Sequence, residues 1–145
     1  MLPPVRSAFR WLTAVLFTLV VVQVALAAFG GFDAVHKAKH VSISKKMIED
    51  SFNAHGLVGT LIVLVMLILL IVAAAGRIGP QQTKFVGLIF ALGVLQYILG
   101  VVSTSAPVVG LLHGLNALAI FSTSGMLAHR TWTARAVAES SPAVS

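Results

Sequence analysis

The sequence predicts an all-α fold, an integral membrane antiparallel four-helix bundle, and three observations predict it. The chain has 145 residues, of which 58% are hydrophobic and 10% charged. A soluble domain carries about 25% charged residues, so this composition is too apolar for one. The apolar residues gather into four segments, each of a length that can cross a bilayer. None of the four alternates like a barrel strand, and in lipid only helices and closed barrels satisfy the backbone.

Residues 1–10 form a short basic N-terminus, with Pro3-Pro4, Arg6 and Arg10. Trp11 to Phe29 then runs without a charge. As a helix it rises roughly 28 Å, enough to cross the hydrocarbon core. Ala25-Leu26-Ala27 also resembles a small-residue cleavage site, so a signal peptide is the alternative for this stretch; a signal core is usually shorter. Residues 30–53 are the one long polar stretch, carrying Asp33, Lys37, Lys39, Lys45, Lys46, Glu49 and Asp50 with His36 and His40. Interspersed apolar residues predict an outer connection holding one or two short interfacial helices. Ser51 and Asn53 are candidate N-caps for the second span.

The second span, about 54–75, is uncharged, and Arg77 beyond it can reach the interface. Gly79-Pro80 marks a turn. The third span covers about 84–102. Ser103 to Pro107 is a tight connection, and Pro107 suits the first turn of the fourth span, about 108–129. The domain is thus expected over 11–135, followed by a small-residue tail, 136–145, expected to be disordered. All five arginines fall on one side of this topology, which predicts a multi-pass protein of the cell membrane with both termini cytoplasmic. The net charge of +6 is accounted for in this way and does not call for nucleic acid. Absence of cysteine excludes disulfides and thiolate metal sites, and no phosphate loop, nucleophile elbow or zincin motif is present.

This topology puts four polar side chains at one depth. His55 lies near the outer end of the second span, His113 is six residues past Pro107, Gln96 six residues before Val102, and Asn116 one turn from His113. They are expected to face the bundle interior, because a polar group facing lipid is costly. Glycines accompany them: Gly56 and Gly59, Gly93 and Gly100, Gly110 and Gly114. Glycines permit close helix approach and equally leave room for a flat ligand.

Two imidazoles on facing helices are what a haem iron takes as axial ligands, with Gln96 and Asn116 as partners that orient them. The competing reading is that each histidine hydrogen-bonds across the bundle, and another ligand such as a metal or quinone is a third. His36 and His40 stand at i, i+4, but with no acid at ligand spacing a solvated face is expected. His129 reads as a helix-end residue, Tyr97 as packing and Trp132 as an interfacial anchor. Glu49 and Asp50 read as solvated charges near the outer mouth.

The run Met47 to Gly59 resembles the start of the second helix in each half of the haem A synthase family, and Leu112 to Leu118 resembles the start of the fourth. That family has two four-helix halves, each with one histidine on its second and one on its fourth helix. The likeness spans roughly residues 33–130. The chain also looks like small uncharacterised four-helix membrane families of bacteria and archaea. Phe52 stands where the synthase has an acid three positions before the first histidine, outer-loop cysteines are absent, and the chain supplies one half. What the resemblance implies is a haem b-binding half-module, alone or as a homodimer, with His55 and His113 as iron ligands.

Three function classes follow from the residues. The leading one is a b-type cytochrome-like protein for one-electron transfer or haem handling near the outer face. The second is a non-enzymatic accessory subunit of a larger membrane complex without a cofactor. The third is an enzyme acting on a lipid or quinone.

Overall fold

The computed structural model describes residues 3–140, with side chains from 4 to 133. Four helices follow in order: α1 Pro3–Ala38, α2 Lys45–Ala75, α3 Pro80–Ser103 and α4 Val109–Ser140. Each is long and apolar enough to cross a membrane. The four-helix bundle predicted from the sequence is therefore the observed architecture, and a multi-pass membrane protein in contact with the bilayer is what it describes.

Each helix packs on its two chain neighbours, and α1 closes the ring against α4. All four packings are antiparallel. Gly30 meets Phe52 while Gly76 meets Val5, Met66 meets Gly93, Gln96 meets His113, and Phe17 meets Phe121. Helices α2 and α4 consequently stand on a diagonal.

The connections are shorter than the composition implied. The stretch 30–53, expected as an outer connection, is mostly helix: α1 continues to Ala38 and α2 begins at Lys45. Two features carry α1 through its polar end. Gly30 lets α2 approach, since a methyl there would stand 2.8 Å from Phe52 Cδ1 and 2.9 Å from the Ser51 carbonyl oxygen. Lys37 Nζ then pairs with Asp33 at 2.6 Å one turn below and donates to Ser51 Oγ at 3.1 Å, tying the two helices together. The cap of α2 is Ser44, whose side chain accepts from the Met47 N–H at 3.3 Å. Ser51 and Asn53 are not caps; Ser51 is buried within α2 and donates to the Met47 carbonyl oxygen. Of the tail expected over 136–145, residues 136–140 continue α4 and 141–145 lie outside the described residues, as do residues 1 and 2.

Along its axis the bundle has two parts. Near the end holding both described termini, Phe9, Leu16, Met66, Leu69, Val86, Ile89 and Leu127 fill the interior. Gly93 presses against the Met66 thioether there. Outward-facing Leu64, Leu67, Ile68, Ile71, Leu88, Ile98, Leu115 and Leu118 are exposed. In water so broad an apolar face would drive association; in hydrocarbon it is the solvated surface. Hydroxyls outside the core bond their own helix, as with Thr60 to Gly56 and Ser122 to Leu118, so they need no partner in lipid.

Candidate functional site

Toward the other end the interior opens into a cavity of about 640 Å³, lined by all four helices. The four polar residues expected at one depth line it or border it. His55 and His113, from the diagonal pair α2 and α4, face each other with ring centres 6.3 Å apart and planes at 60°. Both are partly buried.

Each histidine is held by a glutamine on the preceding helix. In the second hairpin, His113 Nδ1 lies 3.2 Å from the Gln96 carbonyl oxygen. A carbonyl only accepts, so Nδ1 carries the proton and donates. Nε2 is then a lone pair, and the Gln96 side-chain amide donates to it at 3.1 Å. Asn116 completes the set. Its Nδ2 donates to Gln96 Oε1 at 2.7 Å and to the Leu92 carbonyl oxygen at 2.9 Å. Gln96, His113 and Asn116, all singled out from the sequence, thus form one connected network. Gly100 makes room for it, since a methyl there would stand 3.2 Å from His113 Cε1.

In the first hairpin the partner of His55 is Gln23, which the sequence reading passed over inside an uncharged span. His55 Nδ1 lies 3.2 Å from the Gln23 carbonyl oxygen and donates to it by the same reasoning. Gln23 Nε2 donates to the His55 carbonyl oxygen at 2.9 Å and approaches His55 Nε2 at 3.3 Å. Gln23 Oε1 is buried without a hydrogen-bond partner. Gly59 leaves the space that this amide fills.

A signal for Gln23 does exist in the chain. The pattern Val21-x-Gln23-x-x-Leu26 recurs as Val94-x-Gln96-x-x-Leu99, and His55-Gly56-Leu57 recurs as His113-Gly114-Leu115, followed at the seventh position by Ile62 and Ile120. The two hairpins are internal repeats, both starting from the same end of the bundle. Aligning them makes Gln23 the counterpart of Gln96, and Val58 the counterpart of Asn116.

Other candidates fall elsewhere. Phe52 stacks edge-on to His55 with ring centres 6.3 Å apart. Glu49 and Asp50 are exposed, and Glu49 pairs with Lys45 at 3.5 Å across solvent. His36, on the last turn of α1, and His40, in the turn beyond it, are both exposed and pack edge-on with ring centres 5.0 Å apart, and no group of three or more metal-binding side chains occurs among the described residues. His129 is exposed. Tyr97, read from the sequence as packing, lines the cavity and is 57% exposed. Trp132 packs at right angles to Trp11.

The arrangement can present two neutral imidazole lone pairs across a mostly apolar space whenever the glutamine amides give way. It can equally serve as a closed hydrogen-bonded layer. Comparisons of the chain with family models, with curated proteins and with solved structures returned no match.

Proposed function

We propose that the chain is a small integral membrane protein that binds haem b between His55 and His113, for one-electron transfer or haem handling. The observation that carries the proposal is the ring separation. An imidazole nitrogen binds a metal at roughly 2 Å, so two imidazoles on opposite sides of one metal have ring centres roughly 6 Å apart. The 6.3 Å between His55 and His113 fits that span.

Three further features support the fit. A cavity of about 640 Å³ is within the usual ligand range of roughly 300–1,000 Å³. Both imidazoles donate Nδ1–H to a backbone carbonyl, which fixes the ring and leaves Nε2 to face a metal. The lining is apolar apart from the two imidazoles, the two glutamine amides, Tyr97 and a few hydroxyls, and the Ser103 and Thr104 hydroxyls are already spent on carbonyls of their own helix. His55 and His113 would hold the iron, Gln23 and Gln96 would release Nε2 to it, and Asn116 would keep the Gln96 amide close. Haem, when bound, supplies a one-electron iron couple. With the arginine-bearing side in the cytoplasm, the site sits near the outer face of the cell membrane. A homodimer or a larger membrane complex belongs to the same proposal and is read from the mass of the detergent-solubilised particle.

The test is an optical spectrum of detergent-purified protein, oxidised and then reduced with dithionite. A low-spin six-coordinate pattern, lost in His55→Ala and in His113→Ala, is expected. A protein that stays colourless after expression with added haem would overturn the proposal.

One observation favours a second reading, an accessory subunit without a cofactor. All four imidazole nitrogens already have protein partners. On that reading the histidine variants only loosen the bundle. Interhelical hydrogen bonds in membranes average about 0.6 kcal/mol, so their loss is a small shift in unfolding.

A further inference from the structure

At the opposite end of the bundle, Arg10 is an arginine with no acidic partner among the described side chains. It is 9% exposed, in the α1–α4 groove. Its guanidinium carbon lies 4.6 Å from the Trp132 ring centre and 5.8 Å from that of Trp11. The two indoles stand at 88° with centres 5.2 Å apart, forming two walls around it. Cation–π attraction uses the face of the guanidinium plane. The N–H bonds lie in that plane and need oxygen acceptors. Nε is buried and has no such partner, which costs the desolvation of a charged donor.

No carboxylate among the described side chains lies beside Arg10. Both ion pairs among the described residues lie at the far end, at Lys37–Asp33 and Lys45–Glu49. Arg6, Arg77, Lys84 and Arg130 share the end with Arg10. Of the other two acids, Asp50 lies at that same far end, and Glu139 stands seven residues beyond Trp132 on α4, roughly 10 Å along the axis. Arg10 also opens the uncharged run of α1, the level at which hydrocarbon gives way to headgroups. Thr13 and Thr131, one turn deeper, share a hydrogen bond of 3.0 Å and close the floor.

We propose that Arg10, walled by Trp11 and Trp132, is a phosphate site that takes the headgroup of an anionic phospholipid. Phosphate oxygens reach the outer N–H groups of the guanidinium rather than the buried Nε, and the fork geometry of arginine suits phosphate. The net positive end favours an anionic lipid over a zwitterionic one. The site is thirteen residues along α1 from Gln23, roughly 20 Å away, and is independent of any cofactor there.

The chain contains two tryptophans, and both line this site, so intrinsic fluorescence reports it directly. Full-length protein in neutral detergent micelles is titrated with phosphatidylglycerol, with phosphatidylcholine, and with inorganic phosphate. A saturable emission change with phosphatidylglycerol is expected, with little from phosphatidylcholine. Arg10→Gln should raise the half-saturation point about tenfold or more, as loss of a charge-assisted bond implies. Arg10→Lys, which keeps the charge and loses the fork, should fall between, and Arg77→Gln should match the parent. An equal response to inorganic phosphate supports the phosphate site and makes its ligand a soluble one. No response in any arm, or an unchanged half-saturation in Arg10→Gln, overturns the proposal. If Arg10→Gln fails to fold, an unchanged value in Arg10→Lys overturns it instead.

Discussion

The two hairpins carry the same histidine–glutamine pair and support it differently. In α3–α4 the Gln96 amide is held at both ends, by His113 Nε2 and by Asn116, which is itself anchored on the Leu92 carbonyl oxygen. In α1–α2 the position of Asn116 is taken by Val58, and Gln23 Oε1 is left buried and unpartnered. The Gln23 amide rests on the His55 carbonyl oxygen at 2.9 Å and touches the imidazole Nε2 only at 3.3 Å. The same histidine–glutamine element is thus fixed in one hairpin and looser in the other. A lone pair serves one strong partner at a time, so the half with the weaker amide contact yields its Nε2 more readily. The first hairpin also reaches further past the polar layer. Its α1 runs fifteen residues beyond Gln23, roughly 22 Å, against seven beyond Gln96 in α3, roughly 10 Å. The overhang carries Asp33, Lys37 and Ser51, whose contacts clamp α1 to α2.

The sharpest way to break the comparison is to remove each histidine in turn. On the haem proposal, His55→Ala and His113→Ala each eliminate the six-coordinate spectrum, the largest effect expected, read from the Soret band of purified protein. If only one of the two matters, a single axial ligand is in use and the symmetry of the pair is incidental to function.

Next in size is the anchor. Asn116→Val leaves Gln96 Oε1 without its donor, a loss of about 1–3 kcal/mol for a newly unsatisfied buried group. A lowered midpoint of thermal unfolding in detergent is the expected result, and an unchanged midpoint would mean that the Gln96 network carries no stability. The reciprocal change, Val58→Asn, offers a donor to Gln23 Oε1 and should raise the midpoint by less, reflecting a gain of about 0.6 kcal/mol, the average of such bonds in membranes. A fall would show that the looser half has no room for the amide. Together the two substitutions exchange the character of the hairpins, which a haem titration of each single variant would also reveal. Nε2 competition predicts tighter binding in Asn116→Val and weaker binding in Val58→Asn.

The smallest effect belongs to the overhang's outer surface. Glu49→Ala and Asp50→Ala touch only exposed groups, and exposed ion pairs contribute little. Unchanged haem content and unchanged unfolding are expected; loss of haem in either variant would move a carboxylate into the site.

Much of this molecule was readable along the chain. Uncharged apolar runs fixed four spans, because lipid admits no unsatisfied backbone and only a helix satisfies its own. Rarity of polar groups in those runs singled out His55, Gln96, His113 and Asn116, since each must be turned away from lipid. Element ends were less legible. The residues of 30–53 are polar enough for a connection, yet Gly30 against Phe52 and the Lys37–Asp33–Ser51 contacts keep α1 and α2 helical well beyond the apolar run. Gln23 was concealed by a different cause. One amide barely alters the hydropathy of its span, and its importance lies in a partner 32 positions away.

The sequence by itself therefore determined the class of fold and the depth of the polar layer, because hydropathy and helical rise act locally along the chain. Only the tertiary structure decided who partners whom across that layer. It set His55 and His113 on the bundle's diagonal, gave Gln23 to one and Gln96 to the other, and left one carbonyl oxygen of the repeated pair without a donor. Those are matters of distance between helices, which packing sets and composition does not.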